Sequence, residues 1–373
     1  GRYDGSSRFG ENNKWGFFPS GAFAWNIMQE PFMQSLTDIS QLKLRASYGV
    51  TGNTEIGIYR SLATFVATQA VINEVFVSAV IPNAVANADL SWESTKQTDI
   101  GLDVGLWNGR VSLTADYYYK KTEDLLYEVP LPEYSGYYTT LKNIGSVENK
   151  GFELGLNTIN VKKNGFLWST DFNFSLNRNK ILELPSGDVI EKWRPAHIVG
   201  DDTNILTEGS PVGSFYGYIY DGVNKETGAP IYRDIAGRDA NNNRVMEPDG
   251  VVNSSDRTII GNPNPDFIFG LNNTFQYKNF DLNIFFQGVA GNDIINFTRM
   301  ELEWCNGKEN QMTTVLNRWT PSNTDTDIPK AATYSSITSS RWVEDGSYIR
   351  LKNVSLGYNV PKNIIEKIGV EKL

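Results

Sequence analysis

Strict two-residue alternation, held for about ten residues at a time, is the feature that most limits what this chain can become. Ile100, Leu102, Val104 and Leu106 fall on one side of an extended segment, with Asp99, Gly101, Asp103 and Gly105 on the other. Trp107-Asn108-Gly109-Arg110 then carries the Asn-Gly signal of a tight hairpin. The pattern resumes as Val111, Leu113, Ala115, Tyr117 and Tyr119 against Ser112, Thr114, Asp116 and Tyr118. Phe152, Leu154 and Leu156 alternate with Glu153, Gly155 and Asn157. They turn at Lys163-Asn164-Gly165 and return through Phe166, Trp168, Thr170, Phe172, Phe174 and Leu176. A third pair runs through Phe267, Phe269, Leu271 and Phe275, turns at Lys278-Asn279, and returns through Leu282, Ile284 and Phe286. A period of two is the geometry of a strand with unlike faces. The fold class is therefore all-β and antiparallel, with further strands predicted at 16–27, 41–51 and 347–359.

Strand length and connection length narrow the class. Strands in soluble proteins average about 5–6 residues, whereas a tilted strand needs about 9–11 to cross hydrocarbon. The connections fall into two sorts. Those near 108, 164, 278 and 360 are tight, while 52–95, 122–149, 178–265 and 291–346 are long and read as polar. Transmembrane antiparallel β-barrels have short periplasmic turns and long extracellular loops. A soluble β-sandwich also alternates but has no reason to sort its connections by length. Parity then requires nine membrane strands and an external 178–265, with Gly213–Tyr220 as a hairpin within that loop. Nine strands cannot close a single-chain bacterial barrel. The whole chain, 1–373, is thus expected to be part of one larger barrel domain. The loop-like opening Gly1-Arg2-Tyr3-Asp4-Gly5 and the end at Leu373 both read as cuts through a longer protein.

Composition removes other classes. No run of about 18 apolar residues exists, so no transmembrane helix is expected; this says nothing against strands that are apolar at alternate positions only. A net charge of −9 gives no counterion-release affinity for nucleic acid. One His and one Cys exclude an internal disulfide and a Cys-based zinc site, and leave a Ser-His-Asp reading resting on His197 alone. Asp99, Asp103, Asp116, Glu153 and Asp171 recur as the polar half of the alternation, which lining a wet interior already accounts for. Trp15, Trp107, Trp168 and Tyr117 to Tyr119 lie near predicted strand ends, where an aromatic girdle sits at the lipid–water interface.

Two loop features are candidate sites. Loop 234–256 is rich in Asp and Asn, and Asp249-Gly250 followed by Asp256 resembles the second half of a calcium loop. With Asp249 at position 5, positions 1 and 3 fall on Val245 and Glu247, so the first ligand is missing. A solvated acidic loop without cofactor is the expectation. Tyr216, Tyr218, Tyr220, Trp304, Trp319 and Trp342 lie in or beside the outer loops. They would stack on sugar rings, pack against a partner, or pack on one another.

Several runs resemble the SusC/RagA family of TonB-dependent outer-membrane transporters. They include Trp15-Gly16-Phe17-Phe18-Pro19-Ser20, Leu44-Arg45-Ala46-Ser47-Tyr48-Gly49-Val50-Thr51-Gly52-Asn53 and Asp116-Tyr117-Tyr118-Tyr119-Lys120-Lys121. Further along come Asn149-Lys150-Gly151-Phe152-Glu153-Leu154, Gly261-Asn262-Pro263-Asn264-Pro265-Asp266-Phe267 and Arg341-Trp342-Val343-Glu344-Asp345-Gly346-Ser347. The resemblance implies a barrel of about 22 strands around an N-terminal plug. It also implies a SusD-like lipoprotein lid, a TonB-ExbB-ExbD motor acting on the plug, and oligosaccharide or peptide cargo imported across the bacterial outer membrane. Plug, first strands and closing strands are expected to lie outside this chain. The rival readings are a surface glycan-binding or adhesion protein built on a β-sandwich, and a secreted glycan hydrolase.

Overall fold

A computed structural model describes residues 1–137, 139–184, 189–191, 202–239, 244–305, 310–331 and 337–361. Two compact units divide the chain: Gly1–Pro185 with Phe269–Gln287 and Leu351–Leu373, and Ser186–Ile268 with Gly288–Arg350.

The main element is a nine-stranded sheet in which each strand neighbours the next in sequence. Its strands are β1 (Ser20–Asn26), β2 (Ile39–Asn53), β3 (Glu93–Leu106), β4 (Val111–Glu123), β5 (Ser146–Lys163), β6 (Phe166–Glu183), β7 (Phe267–Tyr277), β8 (Phe280–Ala290) and β9 (Tyr348–Tyr358). The register turns the sequence alternation into rows across the sheet. One row reads Phe23, Ala46, Ile100, Tyr117, Phe152, Leu176, and another reads Trp25, Leu44, Leu102, Ala115, Leu154, Phe174. Between them runs Ala24, Arg45, Gly101, Asp116, Glu153, Ser175. The greasy rows lie open: Phe23 is 61% and Ile100 51% exposed, while Gly101 in the polar row is buried. Water on both sides would not tolerate this arrangement, and a sandwich would cover the apolar face. The sandwich reading therefore falls.

Backbone conformation at the turns follows residue type. Asn164 (φ 52°) and Gly165 (φ 77°) are both left-handed between Lys163 and Phe166, the two-residue turn whose twist suits a hairpin. Trp107, Asn108 and Gly109 are also left-handed, so that turn takes four residues.

Four expectations need correction. The strand predicted at 16–27 is broken at Pro19, which has no N–H to give to a ladder. Trp15–Phe18 pairs instead with Arg2–Gly5 in a two-stranded sheet of their own, and Trp15 stacks on Tyr3 at 5.1 Å. Connection 52–95 is not polar throughout: Thr64–Ile72 and Val75–Ala84 form an apolar hairpin. The hairpin expected at 213–220 divides, because Phe215–Gly217 pairs with Thr258–Gly261 and Tyr220–Val223 with Pro230–Tyr232. Finally, β5 and β6 run 18 residues each, well past their predicted ends.

Candidate functional site

The polar face of the sheet forms an open trough of about 670 Å³ lined by, among others, Arg45, Gln97, Asp99, Asp116, Tyr118 and Glu153. Neighbouring strands interlock here. Arg45 on β2 clasps Asp103 on β3 with Nε–Oδ2 at 3.0 Å and Nη2–Oδ1 at 2.9 Å, and reaches Asp116 on β4 at 2.9 Å. Asp99 accepts from Ser47 and Gln97, and the Tyr118 hydroxyl donates to Asn177 at 3.0 Å. Glycine makes room for these groups. A Cβ on Gly101 would overlap the Asp116 carboxylate and lie 2.6 Å from Arg45 Cζ; one on Gly270 would meet Asn173, and one on Gly357 Asp281. Asp103 and Asp116 are thus both engaged by Arg45, and Asp99 by Ser47 and Gln97, as ties between strands on the polar face.

The apolar face carries a polar chain at its tight-turn end. Thr158 donates to Asn160, Asn160 to Thr170, and both Thr170 and Trp168 Nε1 to Asn273 Oδ1, at 2.7–3.0 Å. Tyr48, Thr98, Tyr119, Lys150 and Arg178 form a polar row at the other end. These boundaries lie about eight residues apart, or about 27 Å along the strand, close to the ~25 Å apolar band of an outer-membrane barrel.

The second unit brings the six sequence-nominated aromatics into a packed neighbourhood. Trp342 is buried against Met300, donates Nε1 to Ile337 O, and lies under the Arg341 guanidinium at 4.7 Å. Tyr220 donates to Asp327 O at 2.7 Å and receives from Arg341 at 3.1 Å. Tyr218 and Tyr220 both pack on Tyr232, and Tyr216 lies under Arg257 at 4.5 Å. Trp319 donates to Lys225 O, and its ring fills the space beside Gly228. Trp304 lines a cavity of about 40 Å³ with Tyr220, Glu303, Cys305, Arg341 and Trp342, room for one or two waters.

Sequence reasoning missed the charged centre of this unit. Buried Glu303 accepts from Arg299 at 3.1 Å, Arg341 at 3.2 Å and Thr314 at 2.7 Å, while Arg299 also reaches Glu344 at 3.1 Å. Burial alone would raise the Glu303 pKa, but the Thr314 hydroxyl and the two guanidinium groups outweigh it and hold the carboxyl below its usual range. The signal was present in the Arg341-Trp342-Val343-Glu344 run, though its partner Glu303 stands in no motif.

Three carboxylates of loop 234–256 are met by backbone N–H groups. Fully buried Asp256 accepts from the backbone N–H of Ile235, Ala236 and Asn253, which lower its pKa against the opposing effect of burial. Asp234 accepts from Asp249 N and Gly250 N, and Asp249 from Val251 N. Among the described residues no group of three His, Cys, Asp or Glu is placed to hold a metal. His197 lies outside the described residues.

A long-stranded antiparallel sheet with one face for acyl chains, one for water, and tight turns at one end defines the wall of an outer-membrane β-barrel. The chain belongs to the TonB dependent receptor-like β-barrel family, whose model matches residues 1–371. It is 46% identical to TonB-dependent receptor P3 of Formosa agariphila over 99% of this chain and 37% of that protein. To TonB-dependent receptor SusC of Bacteroides thetaiotaomicron it is 31% identical, over 96% of this chain and 35% of that one. The solved RagAB peptide transporter superimposes with a TM-score of 0.83 at 29% identity, covering 99% of this chain and 40% of that one. The SusC/RagA resemblance read from the motifs therefore holds, and its setting is the bacterial outer membrane. The chain spans about two fifths or less of the length of these relatives.

Proposed function

We propose that this chain supplies barrel wall and outer loops to an active importer of oligosaccharides or peptides, which works without catalysis. In this reading 178–265 and 291–346 are extracellular, a SusD-like lipoprotein forms the lid, and TonB-ExbB-ExbD drives transport. The observation that carries it is the nine-stranded sheet with a greasy and a wet face, superimposable on a transporter. The wet face suits a hydrated polymer fragment, since Arg45, Gln97, Asp99, Tyr118, Lys120 and Asn149 offer donors, acceptors and both signs of charge. Tyr216, Tyr218, Tyr220, Trp304, Trp319 and Trp342 act first as the packing that stiffens the outer loops, and contact cargo or lid through whatever edges remain open. Backbone N–H groups already engage Asp234, Asp249 and Asp256, so calcium and a chelator should leave the melting temperature of the full-length protein unchanged; a calcium-dependent rise would refute this.

The test is uptake by cells carrying or lacking the full-length gene, with labelled oligosaccharides and peptides offered separately. Uptake of one class that disappears on deleting either the gene or TonB is the expected result. Cargo hydrolysed by the purified protein, or uptake indifferent to TonB, would overturn the reading.

A further inference from the structure

Two like-charged pairs stand face to face in neighbouring rows, at the end of the greasy face away from the tight turns. Lys150 on β5 lies directly opposite Arg178 on β6, and Lys96 on β3 directly opposite Lys121 on β4. Like charges so placed destabilise a strand pair. The protein offsets one of the two itself, because Lys96 and Lys121 both pair with Glu123, Lys121 at 2.8 Å. The other belongs to a wider basic patch. Glu148 on β5 faces Lys121 on one side and Lys180 on the other, and accepts from Lys150 at 3.2 Å and from the Tyr119 hydroxyl at 3.3 Å. Lys121, Lys150, Arg178 and Lys180 thus surround a single carboxylate. That carboxylate belongs to a buried residue, whereas Lys150, Arg178 and Lys180 are exposed. At about 3.4 Å per residue and about 4.8 Å between strands, the patch measures roughly 10 Å by 7 Å, room for one or two phosphate groups. The next rows towards the tight turns are Phe152 with Leu176 and Leu154 with Phe174, so hydrocarbon begins directly beside it.

The position of the patch discriminates among covers. Strands that complete a barrel join at the free edges β1 and β9, and β5 is the middle strand of the nine. A plug fills the wet side of such a wall. A second copy meeting this face about a two-fold axis would set the same cations against one another. An acidic protein would match the charge but not the greasy rows beside it. The opposite end of the face is different in kind. There the cations Lys162, Lys163 and Lys278 cluster at the turns, beside the neutral chain of Thr158, Asn160, Thr170 and Asn273. Tight turns of outer-membrane barrels face the periplasm, so the basic patch lies at the outer leaflet.

We infer that Lys121, Lys150, Arg178 and Lys180 hold the phosphate of an outer-leaflet lipid, whose acyl chains lie along Phe152, Leu154, Phe174 and Leu176. Its anion sits between Lys150 and Arg178 and relieves their repulsion, so the bound lipid ties β5 to β6. The inference is independent of the importer reading and needs only a wall that crosses the outer membrane with its tight turns inward.

The test places the full-length protein in nanodiscs of net-neutral phosphatidylcholine, alone, with lipid A, or with dephosphorylated lipid A. Acetylation of Lys150 and Lys180, read by mass spectrometry, should fall several-fold with lipid A and stay unchanged with the dephosphorylated form. Native mass spectrometry should find at least about tenfold less lipid A retained by the triple variant Lys150→Gln, Arg178→Gln, Lys180→Gln than by wild type. The variant Lys162→Gln, Lys163→Gln, Lys278→Gln removes equal charge at the tight turns and should retain as much as wild type. Equal losses from the two variants would reduce the patch to general attraction and overturn the site. Lysines already unreactive in neutral discs would show that another part of the protein covers the patch. Protection by inorganic phosphate alone would show a free-anion site, and protection by dephosphorylated lipid A a merely apolar one. Each of these overturns the inference. If the first variant fails to assemble, the labelling of the wild type decides.

Discussion

At Gly101 a single hydrogen occupies the place where the Arg45 guanidinium and the Asp116 carboxylate meet. Gly101→Val should push that pair apart and cost about 1–3 kcal/mol of barrel stability, read as the urea midpoint of the heat-resistant folded form. Gly155→Ala is the control, since a Cβ there meets nothing within 4 Å, and equal losses at the two sites would refute the niche. Glu303 gives a pH signature. Its carboxyl titrates below the ordinary value near 4.5, so its contribution is whole above that value and is lost as pH falls through the depressed one. Acid should loosen the Arg299–Glu303–Arg341 cluster, seen as rising Trp342 accessibility to a quencher below about pH 4.5, and Glu303→Gln should flatten that profile. A profile unchanged by the substitution would count against the cluster. Single residues were only half legible beforehand. Asp103 reads as one more polar lining group, yet its carboxylate is one jaw of a bidentate clasp on Arg45, because register is a pairwise property that a lone strand does not display.

Among elements, β3 and β6 carry the membrane assignment most sharply. Leu102→Arg or Phe172→Arg, in the apolar rows, should cost about 2–4 kcal/mol near mid-bilayer and deplete folded protein from outer membranes. Gln97→Arg, on the wet face, should leave the amount unchanged, and similar depletion by all three would contradict the two-faced wall. Alternation marked the six strands from β3 to β8 because each has unlike faces. For the same reason it passed over 64–84, where Val66 and Ile81 back onto Phe76 and Val80 and no polar face marks the period. It also cut β5 and β6 short, since Glu148, Asn149 and Lys150 on β5 and Arg178, Asn179 and Lys180 on β6 are polar on both sides and interrupt the period.

For the molecule as a whole, the described sheet ends in two free edges, β1 and β9. Lipid tolerates neither, so residues 1–373 expressed alone should give aggregates and not a heat-modifiable monomer, whereas the full-length protein should give that monomer. A stable monomeric barrel from 1–373 would show that the edges find each other. The long connections were legible in composition but not in arrangement: Tyr220 meets Arg341 across 121 positions, and no periodic signal spans such a gap. The paired extensions of β5 and β6 have a further consequence. Beyond the row of Lys150 and Arg178 they continue five more residues on β6, from Arg178 to Glu183, roughly 15 Å of double-ply backbone. In the proposed importer a parapet of that height would lift the rim of the wall clear of the headgroups, so that an arriving solute would first be handled at an altitude that acyl chains never reach.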